Sequence, residues 1–406
     1  MTPFKPRTLV SWACYDFANT IFSAVVLTAY FPLYLTDLAG AHWYLGAATT
    51  ASMLLAGAAT PFFGALSDQT GRTKNYLIRT TLVCILFFFS LALVHNLAGL
   101  MFSFLAACFF YHASLVFYNS LLPVAAPPEK QGWASGLGTG LGYLGVVAAL
   151  PIAHLADRNL GRPAVFAVGA LLFLLFSLPL FFFVPERKVE HPVVFRWNLW
   201  FEEWKKVWET VKKLPARPVL LLFLAGNFFT VDALNSAIFW ISVYTREVFH
   251  PGQGNLIVFL IALNASAFAA GILAGILTDR LGASLIFTLS SGCLAATLAL
   301  LASAPDFRTF VILALTGGAF AISGIWTAGR KRLMELAPSE KAGEYFGLYG
   351  LTTKISVIGS LIFSVAADLA GFRTALWLLV FPAGAGCLCL GLHQGSAAQG
   401  IDGHSN

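Results

Sequence analysis

The stretch Gly64-Ala65-Leu66-Ser67-Asp68-Gln69-Thr70-Gly71 decides the fold, because its pattern of Gly, Asp and Gly returns as Gly275-x-x-x-Asp279-Arg280-x-Gly282. A second pair of segments repeats at the same offset: Ala126-Pro127-x-Glu129-Lys130-x-Gly132 and Ala337-Pro338-x-Glu340-Lys341-x-Gly343. The chain therefore contains two copies of one unit. Each copy lies among long apolar segments, so we expect the repeated unit to be a bundle of membrane helices.

The composition indicates an integral membrane protein. Hydrophobic residues make up 58% of the chain and charged residues 11%, whereas a soluble domain carries roughly 25% charged residues. The six cysteines lie in apolar segments without metal-ligand spacing, so we predict no disulfide framework, no metal site and no cofactor. The net charge of +6 comes from basic residues scattered over several short loops, which argues against nucleic-acid binding.

Twelve apolar windows are long enough to cross a bilayer core, which needs about 20 helical residues. The sequence therefore predicts an all-α membrane protein with twelve transmembrane helices in two pseudo-symmetric six-helix bundles. We expect an N-terminal bundle at 1–184, a cytoplasmic linker at 185–217, a C-terminal bundle at 218–392 and a disordered tail at 393–406. The predicted spans are 12–35, 43–66, 75–94, 98–122, 135–155, 163–184, 218–241, 254–277, 284–303, 307–328, 344–366 and 372–392.

The orientation follows from the Lys and Arg residues, which favour cytoplasmic loops. Most of them fall on the side that holds both termini. We therefore predict that both termini are cytoplasmic. We also predict that the protein lies in the plasma (cell inner) membrane and that it is a monomer. The arginines on the opposite side are Arg158, Arg162, Arg246, Arg308 and Arg373.

The linker contains an amphipathic segment at 196–214. Four tryptophans recur at three- and four-residue spacing, and charged residues occupy the opposite face. This pattern predicts a helix that lies flat on the membrane, with its lysines near anionic lipid. A docking site for a regulatory protein is the alternative interpretation.

Several segments resemble known transporters. Gly64-Ala65-Leu66-Ser67-Asp68-Gln69-Thr70-Gly71-Arg72-Thr73-Lys74 resembles the signature loop of the major facilitator superfamily in sequence and in position between the second and third spans. Trp12-Ala13-Cys14-Tyr15-Asp16-Phe17-Ala18-Asn19, Phe117-Tyr118-Asn119-Ser120 and Glu344-Tyr345-Phe346-Gly347 resemble its autophagy-related vacuolar effluxer-like branch. The first resemblance implies alternating access, and the second implies amino-acid export. Asn227-Phe228-Phe229-Thr230-Val231-Asp232 departs from the branch pattern, which has a tyrosine and an Asp-Gly pair there.

The signature loop has the composition of a breakable cytoplasmic latch. Gly64 would let two helices approach closely, and Asp68 can accept hydrogen bonds from a helix N-terminus. Gly71 belongs to the same predicted latch, and Arg72 and Lys74 can bind the carboxylate or lipid phosphate. Asp279 and Arg280 would form a reduced latch in the second bundle. A polar turn that carries a topological positive charge is the alternative interpretation.

Ionisable residues inside the spans mark the expected translocation path, because a charge at the centre of a membrane helix costs about 2.5–3.5 kcal/mol. Lys354 lies deep in span eleven, and Asp232 in span seven is its natural partner in charge, with Asn235 on the same face. Asp16 in span one has Asn19 on its face. These groups form either a structural ion pair or a set that exchanges partners with substrate and proton, and we favour exchange.

Weaker candidates complete the predicted path. His112 and Asn119 share one face of span four, and Tyr143 in span five occupies the repeat position of Lys354. A lone histidine or asparagine in a membrane helix is more often a hydrogen-bond partner between helices than a ligand. The remaining candidates are Tyr15 and Trp326.

Glycines in the fifth span match a nucleotide-binding pattern without its structural setting. Gly140-x-Gly142-x-x-Gly145 follows no predicted strand and lies inside a span, so we interpret it as a helix-packing face.

The sequence thus predicts a secondary active transporter that moves a small polar solute, such as an amino acid, with ion or proton coupling. A receptor or scaffold with a transport fold and an uncoupled uniporter remain alternatives. An intramembrane enzyme would need a nucleophile and base or a metal cluster, and the sequence contains neither pattern, so we predict no enzymatic activity.

Overall fold

The computed structural model describes residues 6–127, 131–186, 199–336 and 342–398, and these residues form helices joined by short turns. The first half of the chain contains α1 (Pro6–Phe22), a π-helical stretch (Ser23–Ala29), α2 (Phe31–Ala39), α3 (Trp43–Thr70), α4 (Thr73–Ser90), α5 (Leu97–Ser120), α6 (Leu122–Ala125), α7 (Gln131–Leu160) and α8 (Arg162–Phe183). The second half contains α9 (Leu199–Lys213), a 3₁₀ turn (Leu214–Ala216), α10 (Pro218–Phe249), α11 (Gln253–Leu281), α12 (Ala283–Ala302), α13 (Phe307–Leu313), a π-helical stretch (Ala314–Gly318), α14 (Ala319–Leu336), α15 (Ala342–Ile355), α16 (Ile358–Ala370), α17 (Phe372–Leu378) and α18 (Val380–Ala398).

Within the described residues, eleven helical segments are long and apolar enough to cross a membrane. They account for eleven of the twelve predicted spans, and the twelfth corresponds to α4. Lys74, Asn75 and Arg79 occupy the first two turns of α4, and these polar residues lower its mean hydropathy. The helical content and the number of spans agree with the predicted all-α membrane fold.

The chain separates into two compact units. Unit 1 comprises residues 1–40 and 51–204. In this unit α1 packs against α7 and α8, and α4 packs between α5 and α8. Aromatic side chains fill the centre: the ring of Phe22 in α1 stacks on Tyr111 in α5 and meets Phe88 in α4 edge to face.

Unit 2 comprises residues 41–50 and 205–406. Here α10 packs along α18, and α12 packs against both α14 and α18. Tyr244 in α10 stacks on Phe310 in α13. The first turns of α3, through Thr50, belong to this unit, whereas the rest of α3 belongs to unit 1.

The two duplicated hairpins turn at equivalent glycines. Gly71 follows α3 with φ of 63°, and Gly282 follows α11 with φ of 93°. Residues with a side chain adopt these positive φ values rarely, and glycine adopts them without steric cost. The conformations of the two glycines therefore agree with the repeat seen in the sequence.

The structure corrects several predicted boundaries. Span eleven is two helices, α15 and α16, separated at Ser356 and Val357. The boundary between the two units falls inside α9, after Trp204, and the linker at 185–217 stays a prediction. Disorder from residue 393 is wrong for the first part of the tail, since α18 continues to Ala398. Residues 399–406 lie outside the described part of the chain.

Candidate functional site

A break in a membrane helix forms a buried polar region of unit 2. Helix α15 ends at Ile355, and α16 begins at Ile358 after Val357, whose φ of −145° and ψ of −1° interrupt the helix. A break inside a span leaves backbone N–H and C=O groups without helical partners, and in a membrane these groups need partners from the protein or from an aqueous cavity. Side chains of α10 provide several of them.

Asp232 caps the second half-helix. Its Oδ1 accepts a hydrogen bond of 2.9 Å from the backbone N–H of Gly359, the second residue of α16. The aspartate is 7% exposed. A helix N-terminus carries partial positive charge, which favours an anion at this position. Burial of the carboxylate is therefore offset by a hydrogen bond and by the dipole of α16.

Gly359 is required for this contact. A Cβ at residue 359 would collide with Oδ2 of Asp232 and would lie 2.9 Å from Oγ of Ser236. Any larger residue would therefore push the carboxylate away from the N-terminus of α16. Gly359 could not be singled out from the sequence, because nothing near it in the chain shows that an aspartate packs against it.

Other residues of α10 form hydrogen bonds with residues at the break. Asn235 donates long hydrogen bonds of 3.4 Å and 3.5 Å to the carbonyls of Ser356 and Thr353. The hydroxyl of Ser356 donates to the carbonyl of Phe228 in α10 at 2.8 Å. Asn227 donates to Oγ1 of Thr352 at 3.1 Å. The predicted residues Asp232 and Asn235 therefore act on the same break from one helix.

Lys354 lies at the other side of the break, in the last turn of α15. The C-terminal end of a helix carries partial negative charge, so a cation is favoured there. Each half-helix thus has a residue of the matching charge at its broken end. The direct pairing of Lys354 with Asp232 stays a prediction.

Asp16 is the centre of a second polar cluster, in unit 1. Its Oδ2 accepts a hydrogen bond of 2.8 Å from the hydroxyl of Tyr118. The ring of Tyr118 stacks on Trp12 with a centroid distance of 4.5 Å, and the indole N–H of Trp12 donates to the Tyr118 carbonyl at 3.2 Å. Tyr15 bonds to Thr81 beside the cluster. A half-buried carboxylate next to stacked aromatic rings suits a cationic group.

A glycine face on α7 holds this part of α1. Cβ atoms at Gly142 and Gly145 would lie 2.8 Å from Oγ1 of Thr20 and 2.7 Å from the carbonyl oxygen of Phe17, and one at Gly138 would collide with Asp16. The interpretation of these glycines as a packing face is therefore confirmed. The absence of side chains brings α7 against the turn of α1 that carries Asp16.

The other predicted residues occupy varied positions. His112 is half-buried, with its ring 5.1 Å from that of Tyr111, and Asn119 is exposed. Asn19 is buried, and neither atom of its amide has a hydrogen-bond partner among the described residues. Tyr143 in α7 and Trp326 in α14 are half-buried.

Glu186 caps the helix that follows the signature loop. Glu186 accepts hydrogen bonds from the backbone N–H groups of Lys74 at 2.7 Å and Asn75 at 3.2 Å, at the N-terminus of α4. The side chain of Asp68, for which this role was predicted, lies outside the described residues. A Cβ at Gly64 would meet nothing within 4 Å. A close helix contact at Gly64 therefore stays a prediction.

The second hairpin contains an ion pair between Asp279 and a residue of a later helix. Asp279 at the end of α11 pairs with Lys331 in α14, at 2.5 Å between Oδ1 and Nζ. The predicted latch named Asp279 with Arg280, its neighbour in sequence. Lys331 was missed because it lies three helices later in the chain.

A further capped helix lies within unit 2. Asp368 near the end of α16 accepts hydrogen bonds from the backbone N–H of His42 at 3.0 Å and of Trp43 at 2.9 Å, and it contacts Nδ1 of His42 at 2.6 Å. One turn later, a Cβ at Gly46 would collide with Ser364. The beginning of α3 is therefore fixed tightly to α16.

The family follows from comparison with known proteins. The model of the Major Facilitator Superfamily matches residues 13–296 and 255–395. The chain belongs to the Major Facilitator Superfamily. The predicted superfamily and fold are therefore confirmed, and the chain is a multi-pass membrane protein of a transporter family.

The superfamily relatives cover most of this chain. An uncharacterized protein of Aquifex aeolicus is 28% identical over 356 residues, 87% of each chain. The uncharacterized MFS-type transporter YxiO of Bacillus subtilis is 27% identical over 403 residues, 91% of each. The multidrug resistance protein MdtG of Salmonella paratyphi A is 29% identical over 303 residues, 69% of this chain and 66% of the relative.

Solved structures share the superfamily fold. A mutant of the nucleoside transporter NupG matches with a TM-score of 0.76 and 13% identity, over 95% of this chain and 99% of NupG. A bacterial homolog of the human lysosomal transporter Spinster matches with a TM-score of 0.69 and 12% identity, over 95% of both chains. At these identities the likeness establishes the fold alone.

Proposed function

We propose that this superfamily member is a secondary active transporter that moves a small polar solute of the amino-acid type by alternating access, coupled to a proton or another ion. The observation that carries the proposal is the break between α15 and α16, with the carboxylate of Asp232 at the N-terminus of the second half-helix. In many transporters, substrate and coupling-ion sites are formed by discontinuous membrane helices with such termini.

The coupling ion acts on Asp232 in this proposal. When the carboxylate is charged, the N–H of Gly359 and the dipole of α16 stabilise it. A proton or metal cation that neutralises the carboxylate weakens that attraction. The balance of free energy between conformations then changes, because the break is held by Asp232 and its neighbours on α10.

The substrate is recognised through Lys354 in this proposal. Lys354, at the C-terminal end of α15, has the chemistry to receive a carboxylate. An amino-acid zwitterion carries that group, and the resemblance to the effluxer-like branch implies the same substrate class.

Export of an aromatic organic cation is the second candidate. The relative MdtG is named a multidrug resistance protein, and the carboxylate of Asp16 with the stacked Trp12 and Tyr118 also fits a flat cation. Such a substrate needs Asp16 and the rings but does not need Lys354. Lys354→Gln therefore separates the two candidates: it abolishes amino-acid transport and leaves cation export intact.

Purified protein in vesicles tests coupled transport. Wild-type protein accumulates a labelled amino acid when a proton or sodium gradient is imposed, whereas Asp232→Asn loses accumulation and retains exchange of solute across equal concentrations. Asp306→Asn is the matched control, because it makes the same chemical change at an exposed helix cap. Full gradient-driven accumulation by Asp232→Asn would contradict the proposal, and so would substrate binding by the wild type without flux.

The cellular setting completes the proposal. We place the protein in the plasma membrane as a monomer. Both termini lie in the cytoplasm in this proposal, because most Lys and Arg residues fall on the side that holds the termini. Protease treatment of intact cells and of inverted vesicles tests the orientation: a C-terminal tag is cut only in the inverted vesicles. Cleavage in intact cells would contradict the orientation.

A further inference from the structure

The first turns of helix α9, through Trp204, pack within unit 1. The indole N–H of Trp204 donates a hydrogen bond of 3.0 Å to the carbonyl of Ala58 in α3. One turn earlier, the ring of Trp200 lies 5.8 Å from that of Phe62. Trp200, Trp204, Val207 and Val211 recur at three- and four-residue spacing and are half-buried. This inner face of α9 is therefore already occupied.

The contact on α3 lies beside a weakened turn. Pro61 stands inside α3 and has no N–H, so the carbonyl of Gly57 lacks its usual helical donor. The carbonyl of Ala58, which accepts from Trp204, is the next one along the chain. Trp204 thus holds α9 at the point where α3 bends most easily.

A second apolar face of α9 has no such cover among the described residues. Phe201 is 77% exposed and Trp208 is 59% exposed. They are seven residues apart, which places them on the same side of the helix, about 20° from each other at 3.6 residues per turn. Nζ of Lys212 lies 5.8 Å from the ring centre of Trp208.

The exposed residues of α9 are ordered by chemistry around the helix. From the inner face, the aromatic residues Phe201 and Trp208 come first, at about 80–100°. Lys205 and Lys212 follow at about 120–140°, Glu202 and Glu209 at about 180–200°, and Lys213 at about 220°. All seven are exposed. This order matches the layers of a membrane surface: the aromatic residues face the acyl chains, the lysines face the anionic headgroups and the glutamates face water.

We propose that this face of α9, formed by Phe201, Trp208, Lys205 and Lys212, binds the anionic lipid surface of the membrane. The two aromatic side chains enter the boundary of the acyl chains, and the two lysines contact the headgroup phosphates. Lipid binding restricts the movement of α9. The hydrogen bond from Trp204 to Ala58 in turn restricts the movement of the proline-containing turn of α3. Anionic lipid therefore regulates a helix that leads into the signature loop.

The matched pair Lys212→Gln and Lys213→Gln tests the charge on this face. Both lysines are exposed and adjacent in sequence, but Lys213 points about 100° away from Lys212. Full-length protein in detergent is titrated with short-chain phosphatidylglycerol, and tryptophan fluorescence is recorded. A lysine near an anionic surface contributes ~1 kcal/mol, so Lys212→Gln raises the half-saturating concentration about fivefold. Lys213→Gln changes it less than about twofold.

Two further probes identify the ligand. Short-chain phosphatidylcholine and inorganic phosphate, each at the same concentration, leave the fluorescence unchanged if the site needs both an apolar chain and an anionic headgroup. A response to phosphate alone would overturn the proposal of a lipid surface. Equal affinity for phosphatidylglycerol in Lys212→Gln and Lys213→Gln would overturn the assignment of this face.

Quenching in lipid nanodiscs tests the location of Trp208. With brominated lipid, Trp208→Phe loses a quenched component of the fluorescence that the wild type shows, whereas Trp204→Phe retains it. If Trp208→Phe instead removes a component quenched by water-soluble acrylamide, the face points to water. That result would overturn the proposal and favour a docking site for a protein.

Discussion

Gly145→Ala is expected to force α1 and α7 apart. The new Cβ would lie 2.7 Å from the carbonyl oxygen and 3.3 Å from the Cα of Phe17. Both are backbone atoms of α1, so no side-chain rotation relieves the contact. The helices must separate by several tenths of an ångström before the distances reach ordinary van der Waals contact. Separation here also displaces the turn of α1 that carries Asp16.

The change in unfolding free energy that Gly145→Ala causes follows from two opposing effects. Overpacking of a close contact costs about 1–3 kcal/mol, and replacement of a helical glycine by alanine returns about 0.5–1 kcal/mol. The central values leave a net loss of about 1 kcal/mol, which lowers Tm by about 2–4 °C for a unit of this size. Thermal unfolding of the purified protein in detergent, followed by tryptophan fluorescence, measures the change.

The control is Gly271→Ala in α11. Its Cβ would come no closer than 3.8 Å to Oγ of Ser323, which is an ordinary contact, so its Tm stays level or rises. Equal Tm values for Gly145→Ala and Gly271→Ala would refute the close packing of α1 on α7.

Variants at three capping aspartates test the capped helices. Asp232→Ala leaves the N–H of Gly359 without an acceptor and costs about 1–3 kcal/mol of unfolding free energy. Asp232→Asn costs less, because its side-chain oxygen still accepts the hydrogen bond. Equal losses in the two variants, measured by thermal unfolding, would argue against the cap. Asp368→Ala leaves the first N–H groups of α3 unpaired and lowers Tm, and an unchanged Tm would show that the cap does not contribute. The hydrogen bond from the backbone N–H of Thr309 lowers the pKa of Asp306. This cap therefore stabilises the folded protein at pH values above the ordinary pKa of an aspartate, and the stabilisation is lost as pH falls through the lowered pKa. Asp306→Ala lowers Tm at neutral pH. A difference in Tm between Asp306→Ala and the wild type that persists in strong acid would contradict this assignment.

The duplication and the helical spans could be predicted, because both depend on residues near each other in sequence. Repeated glycines at Gly71 and Gly282 mark equivalent turns, and long apolar runs mark helices. The glycines of α7 were interpreted correctly for the same reason, since their spacing places them on one face. Asp16, Asp232 and Lys354 were singled out because ionisable residues are rare in membrane spans.

The break in span eleven could not be predicted, because no proline or glycine pair marks it. Ser356 and Val357 are ordinary residues for a membrane helix. Their interruption depends on Asp232 and Asn235, which lie on another helix and bond to the freed backbone groups. Glu186 was missed as the cap of α4 for the same physical reason: the partner lies far away in sequence and is found only in the fold.

Accessibility of a cysteine at residue 353 tests alternating access at the broken helix most directly, because it needs no knowledge of the substrate. Thr353 lies at the broken end of α15, beside Lys354, and is half-buried. Thr353→Cys is made after the six native cysteines are replaced. We expect a membrane-impermeant thiol reagent to label it from either side of the membrane, and we expect Asp232→Asn to change the ratio of the two rates. Labelling from one side alone, at every pH and with every solute tested, would contradict alternating access around the break.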